Sequence, residues 1–149
     1  VSAVKKIFRP KPEATQVSSA SAFERNAWLL WGPVVLYMSV IFFVSHQPEV
    51  TIPPGLTDKG SHSLAYTLLG LLMVRALAGG LGARVAPRTA FLGILFTTLY
   101  GASDEFHQMF VAGRSAELYD LYADATGGAI GAFVCWLWGI ISPSWPLKT

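Results

Sequence analysis

Residues 121–141 read LYADATGGAIGAFVCWLWGII, and Asp124 is the one charged residue in this stretch of 21. A helix rises 1.5 Å per residue, so a helix of this length extends about 31 Å. The hydrocarbon core of a bilayer is about 30 Å thick. The stretch therefore predicts a helix that spans a membrane.

The composition of the whole chain supports this interpretation. Of the 149 residues, 52% are hydrophobic and 13% are charged, whereas an ordinary soluble domain carries roughly 25% charged residues. The net charge is only +2 and no basic stripe is interleaved with aromatic residues, so we expect no nucleic-acid partner. The single cysteine, Cys135, excludes a disulfide framework and a multi-cysteine zinc site.

Three other apolar stretches precede the first one described, at 28–44, 64–78 and 90–102. The stretches 64–78 and 90–102 are long enough to span a membrane only if their polar ends, near 61–63 and 103–108, are also helical. Counting those ends as helix predicts an all-α membrane protein, a four-transmembrane-helix bundle with short loops. A soluble bundle is the alternative, and it is disfavoured because no stretch shows a wide polar face.

The ends of the chain differ from this apolar part. The Pro10-Lys11-Pro12 step and several serines predict a flexible, disordered basic tail over 1–26. The predicted transmembrane domain is 27–142, and 143–149 form a C-terminal tail. The apolar stretch 28–44, which follows the tail, is long and no signal-peptide cleavage site follows it, so we interpret it as a retained anchor.

Charge is distributed unequally between the two sides of such a bundle. Four crossings put nine of the eleven basic residues on the side of the termini and leave Lys59 and Arg114 on the other. The positive-inside rule then predicts cytoplasmic termini. Seven of the nine acidic residues and all three histidines fall on the outer side, which concentrates the reactive side chains at one membrane face.

The outer polar residues come from three segments with helical spacing. Asp58, His62 and Tyr66 are four residues apart and share a helix face. Because charges near hydrocarbon usually face a bundle interior and have partners, we expect a shared pocket. The alternatives are a network that only fixes helix register, and simple helix caps. The other two segments supply Asp104, Glu105, His107 and Gln108, and then Arg114, Asp120 and Asp124.

These residues are candidates for different roles. Histidine oriented by a carboxylate can act as a general base. The candidate catalytic residues are therefore His62 or His107 as the base, Asp58 or Asp104 as its orienting partner, and Glu105. The candidate ligand-binding residues are Lys59, Gln108, Arg114, Asp120 and Asp124. We expect no cofactor and no bound metal. If a metal binds, the candidate ligands are His62, His107 and Asp104, because a carboxylate three residues before a histidine occurs in bundle metal sites.

Small residues beneath this region predict close helix packing. Gly127 and Gly131 form a G-x-x-x-G pair, and Gly93, Thr97 and Gly101 are four residues apart. Such residues let helix backbones approach closely in lipid. The motif is common in membrane helices, and we interpret it as packing within the chain.

The three polar segments together resemble the VanZ-like family, over about residues 37–132. Asp124 stands where many members have Asn, and Ala112 where a Pro is frequent. The resemblance implies a small bacterial protein of the cytoplasmic (inner) membrane, in a family whose founding member is associated with teicoplanin resistance. It implies no particular reaction.

Three functions are therefore open. The first is binding of an anionic lipid or a lipid-linked cell-envelope component, with the Arg114 guanidinium as a fork for phosphate or carboxylate. The second is a membrane-embedded hydrolase or transferase that acts on such a substrate with His and Asp acid-base chemistry. The third is a structural subunit of a membrane complex. The sequence names the lipid bilayer as a partner but no protein partner.

Overall fold

The described part of the chain contains four helices. The computed structural model describes residues 14–48, 54–80 and 84–141, with side chains from Ala27 onward. Within these ranges the structure contains no strand, and the predicted all-α class is confirmed. The helices are α1 (Ala14–Ser45), α2 (Asp58–Ala78), α3 (Pro87–Gln108) and α4 (Leu118–Ile141).

Three segments are long and apolar enough to cross a membrane, namely Ala27–Ser45, Asp58–Ala78 and Leu118–Ile141. α3 has 22 residues and is therefore long enough, but polar residues at both of its ends lower its hydropathy. Its composition does not identify it as a span, so the fourth crossing stays a prediction.

The polar ends of two helices have clear local causes. The Thr57 side chain caps α2 by accepting a hydrogen bond from the Gly60 amide, and Asp58 lies in the first turn, where the helix dipole favours a carboxylate. α2 stops at Gly79, whose φ of +82° is left-handed. α3 begins at Pro87, a residue suited to a first helical turn. Both polar ends, at 61–63 and 103–108, are helical as predicted.

The start of α1 differs from the sequence prediction. The helix begins at Ala14, so residues 14–26 are helical and do not form part of the disordered tail predicted over 1–26. The segment contains no Gly or Pro, and three Ala, one Gln, one Glu and one Arg among its 13 residues are good helix formers. The rest of the predicted tail, 1–13, and the C-terminal tail, 143–149, lie outside the described residues.

Consecutive helices run side by side in opposite directions. Arg75 near the end of α2 donates a hydrogen bond to the Leu29 carbonyl in α1 (3.2 Å). Nearer the other end, the Tyr37 hydroxyl of α1 donates to the Ala65 carbonyl in α2 (3.2 Å). These two bonds pair the early part of α1 with the late part of α2, as an antiparallel arrangement requires.

α2 and α4 are parallel and lie closest together. The Cys135 thiol donates to the Leu71 carbonyl, 64 residues earlier (3.5 Å). The same offset places Gly131 against the Thr67 backbone and Gly127 against the Ser63 backbone, where a Cβ would collide with the carbonyl oxygens. The predicted close packing through small residues is therefore present, and it occurs within one chain.

The surface of the bundle is apolar. Large side chains such as Trp28, Phe43, Phe91 and Phe133 are more than half exposed, while several carboxylates are buried. This is the reverse of a soluble domain, where charged residues are almost never fully buried. An apolar exterior around a polar interior suits a helix bundle surrounded by lipid.

Candidate functional site

The alternating helix directions bring the polar segments of the sequence to one end of the bundle. The end of α1 meets the start of α2, and the end of α3 meets the start of α4. A cavity of about 200 Å³ opens there. Its walls include five of the candidate residues, namely Asp58, His62, Asp104, Gln108 and Arg114.

The cavity has two chemically different sides. Val40, Ile41 and Val44 of α1 form an apolar wall. The rest of the lining carries hydroxyl, imidazole, carboxylate, amide and guanidinium groups. Beyond the five candidates it consists of Tyr37 and Ser45, which are also in α1, and of Ser61, Ala65 and Tyr66 in α2.

Asp104 is fixed by neutral donors. It is 4% exposed, and its Oδ1 accepts a hydrogen bond from the Ser45 hydroxyl at 2.6 Å. Its Oδ2 accepts from the Gln108 amide at 3.3 Å. The sequence had suggested Asp104 as a partner that orients a histidine, but its hydrogen bonds go to Ser45 and Gln108.

His62 pairs with a residue that the sequence did not assign to it. Its Nδ1 lies 3.1 Å from Oδ1 of Asp124, a carboxylate that is 1% exposed. The predicted orienting partners were Asp58 and Asp104. Asp124 takes this place because the parallel register of α2 and α4 sets it opposite His62, and because Gly101 of α3 has no Cβ where Oδ2 of Asp124 lies.

His107 stands apart from this pair. Its Nε2 lies 3.1 Å from Nδ1 of His46, its ring lies 4.6 Å from the ring of Phe42, and it does not line the cavity. Among the described residues, the predicted metal set of His62, His107 and Asp104 is therefore not brought together. The groups of potential ligand atoms within 4.8 Å of one another are instead His62 with Glu105 and Asp124, and His62 with Asp58 and Asp120.

Lys59 is occupied by carboxylates. Its ammonium lies 2.6 Å from both Glu117 and Asp120 and 3.8 Å from Asp58. The hydrogen bond from Lys59 lowers the pKa of the Glu117 carboxyl below its usual value. Lys59 thus acts as the counter-ion of Asp120. Neither Lys59 nor Asp120 lines the cavity.

Glu105 is buried, at 6% exposure. Its Oε2 accepts a hydrogen bond from the Glu117 amide at 2.9 Å, which ties α3 to the loop before α4. Its Oε1 has no hydrogen-bond partner among the residues that the structure describes.

Arg114 lies in the loop between α3 and α4. Its Nε donates to the Gln47 carbonyl at 3.1 Å, so the loop is held against the end of α1. Gly113 before it has a φ of +81°, a left-handed conformation that favours glycine. This turn places the guanidinium in the cavity wall.

Sequence reasoning missed Ser45, Tyr37 and Ser61 as cavity residues. A signal existed for Ser45, because it is the first polar residue after the apolar stretch 28–44 and falls at the outer end, beside the other polar segments. Tyr37 lies within an apolar stretch, so its position carries no comparable signal.

The geometry agrees with a comparison to known protein families. The family model described as VanZ/LLP1 matches residues 4–139. No curated protein matches the chain, and no solved structure does. The match covers most of the chain and includes all three polar segments that the fold gathers around the cavity, and the chain therefore belongs to the VanZ/LLP1 family.

Proposed function

We propose that this protein binds an anionic lipid, or a lipid-linked cell-envelope component, in the cavity between α1, α2 and α3. The observation that carries the proposal is the two-sided lining of that cavity. An apolar wall next to hydrogen-bonding groups matches an amphiphile, whose chain and head group need different surroundings.

The apolar wall belongs to a helix with lipid-facing side chains. Val40 is 46% and Val44 is 47% exposed, so both contact the cavity and the outside of the bundle. An acyl or polyprenyl chain could therefore lie along α1 with its head group in the cavity, without leaving the bilayer.

Arg114 is the group best suited to an anionic head group. Of the two basic residues described at this end, Lys59 is already paired with carboxylates. The described contact of the Arg114 side chain uses Nε and leaves the two terminal amino groups for a fork-like pair of hydrogen bonds to phosphate or carboxylate.

The location of the cavity follows from two further proposals. α3 lies along the length of its neighbours, with Gly93 against Val74, Thr97 against Gly128 and Gly101 against Asp124. A helix packed side by side with two spanning helices crosses with them, which supports four crossings. The positive-inside rule then gives cytoplasmic termini in the bacterial inner membrane and an outward-facing cavity.

Substitution of Arg114 tests the proposal. We expect the purified protein to bind phosphatidylglycerol in preference to phosphatidylcholine, measured by native mass spectrometry or nanodisc titration. Arg114→Lys should weaken this binding by at least about tenfold, since a charged hydrogen bond contributes about 1.5–3 kcal/mol and an ammonium lacks the planar fork.

The matched control is Arg88→Lys, an exposed arginine at the opposite end of α3, which should leave both binding and thermal stability unchanged. The proposal is refuted if the wild type shows no preference for the anionic lipid. It is also refuted if Arg114→Lys binds normally while Arg114→Ala unfolds, because that result assigns Arg114 to structure alone and favours the structural-subunit alternative.

The His62–Asp124 pair favours a second candidate, a hydrolase or transferase that acts on a lipid-linked substrate. An imidazole held at Nδ1 by a carboxylate has its Nε2 available as a general base, and His62 lines the cavity. Incubation with bacterial lipid extract should then release a modified head group, detectable by mass spectrometry, and His62→Asn should abolish this turnover while lipid binding persists.

The family resemblance leads to a further proposal, that this protein contributes to glycopeptide resistance. Expression of the chain in a susceptible Gram-positive host should raise the inhibitory concentration of teicoplanin, and Arg114→Lys should remove the increase. An unchanged inhibitory concentration with verified expression would contradict the link.

A further inference from the structure

Three side chains from three helices converge beneath the cavity. His62 comes from α2, Glu105 from α3 and Asp124 from α4. A ring nitrogen of His62 and one carboxylate oxygen from each acid all lie within 4.8 Å of one another. Glu105 and Asp124 are 6% and 1% exposed, so water has little access to this point.

The group has more acceptors than donors. Oε1 of Glu105 and Oδ2 of Asp124 are both buried without a hydrogen-bond partner in the described part of the chain. Buried polar atoms are rarely left in this state, and each one that occurs calls for an explanation such as an ion. The nearby cation Lys59 does not supply it, because its described partners are Asp58, Glu117 and Asp120.

We propose that His62, Glu105 and Asp124 bind a divalent transition-metal ion of the zinc type. The two positive charges of the ion would balance the two buried carboxylates. A single protonated imidazole would balance only one of them. Two ligands of a tetrahedral zinc, each about 2.0–2.1 Å from the metal, lie about 3.3 Å apart. Nδ1 of His62 and Oδ1 of Asp124, which share a hydrogen bond, are 3.1 Å apart, and Oδ2 of Asp124 is the oxygen left without a partner in the described part of the chain.

The ligand types define the class of metal. An imidazole with two carboxylates suits Zn²⁺, Mn²⁺ or Fe²⁺, whereas Mg²⁺ and Ca²⁺ prefer oxygen ligands throughout. Three protein ligands leave a coordination position on the metal for water or a ligand from the adjacent cavity. The site does not depend on which molecule the cavity binds.

A second set of potential ligands shares His62 but fits a metal less well. Asp58 has a side chain that is half exposed, and Asp120 already accepts a hydrogen bond from Lys59 at 2.6 Å. In that set Lys59 already serves as the cation. The inner set of His62, Glu105 and Asp124 is the one with unpartnered buried oxygens.

Metal binding can be measured without any lipid. The detergent-purified chain, stripped with chelator, should bind one equivalent of Co²⁺ with a visible d–d absorption band that Zn²⁺ displaces. Zn²⁺ should also raise the melting temperature by several degrees, because it binds the folded state selectively. Glu105→Gln and Asp124→Asn should each lower the Co²⁺ affinity by at least about tenfold.

The control is Glu117→Gln, which alters a carboxylate that pairs with Lys59 and lies outside both the three ligands and the cavity lining. It should keep the Co²⁺ affinity of the wild type. The proposal is overturned if the wild type shows neither the absorption band nor a thermal shift, a result that requires no variant to fold. It is also overturned if Glu117→Gln loses as much affinity as Glu105→Gln, or if Asp58→Asn abolishes binding while Glu105→Gln retains it.

Discussion

At the scale of single residues, Ser45 and Asp104 show how a buried carboxylate is kept without a cation. The Ser45 hydroxyl donates to Oδ1 of Asp104 at 2.6 Å, and the bond joins α1 to α3. A second bond between these helices, from the Tyr100 hydroxyl to the Met38 carbonyl at 2.6 Å, lies about two turns earlier in α1. The Ser45 bond is therefore the one that fixes the end of α1 at the cavity.

We predict that Ser45→Ala destabilises the protein by about 1–3 kcal/mol, because it leaves an oxygen of a buried carboxylate without its donor. Thermal unfolding of the detergent-purified protein measures the effect. Ser39→Ala is the matched control, since Ser39 is an exposed serine of the same helix that bonds only its own helix backbone. Equal stability of the two variants would contradict a role for the Ser45 bond.

At the scale of helices, the register between α2 and α4 positions the site. Gly127 and Gly131 lie against backbone atoms of α2, which lets the two helices approach closely. A side chain at either position would separate them and move Asp124 away from His62.

Gly131→Ala should therefore destabilise the bundle by about 1–3 kcal/mol, the usual cost of overpacking, because its Cβ would meet the Thr67 carbonyl and the Leu71 amide. Gly32→Ala is the control, because nothing lies within 4 Å of its added Cβ and alanine favours a helix. Chemical unfolding of both variants tests this, and a stable Gly131→Ala would show that the two backbones are not in contact.

The sequence predicts which site residues share a face of one helix, but it does not predict which residues pair between helices. Asp58, His62 and Tyr66 line one cavity because helical spacing alone puts them on one face, and sequence reveals spacing. The pairing of His62 with Asp124 depends on the axial register of two helices separated by a third. That register results from packing against glycines, and no local pattern in the sequence specifies it.

The missed start of α1 has a different cause. The serines and the Pro-Lys-Pro step suggest disorder over 1–26, but residues 14–31 contain no Gly or Pro and an apolar helix follows directly. A helix that has already nucleated extends at little cost. The composition of residues 1–26 alone does not predict this extension, because it takes no account of the apolar helix that follows the segment.

At the scale of the whole molecule, the four proposed crossings separate the two ends of the bundle. Ala112 is exposed in the loop beside the cavity, and Ala86 is exposed just before α3. If α3 crosses the membrane, these two positions lie on opposite sides.

Cysteine labelling tests this topology. With the buried Cys135 replaced by alanine, Ala112→Cys should react with a membrane-impermeant thiol reagent in intact cells, and Ala86→Cys should react only after permeabilisation. Labelling of both positions from outside would contradict a crossing by α3. Labelling of Ala86→Cys alone would reverse the orientation and place the cavity in the cytoplasm.

The parallel pairing of α2 and α4 also constrains biogenesis. A parallel pair cannot arise from a hairpin of consecutive helices, so α3 has to return the chain across the bundle before α4 can meet α2. His62 and Glu105 are therefore translated before Asp124. Until α4 has been made, the nascent chain carries two of these three polar side chains without the third.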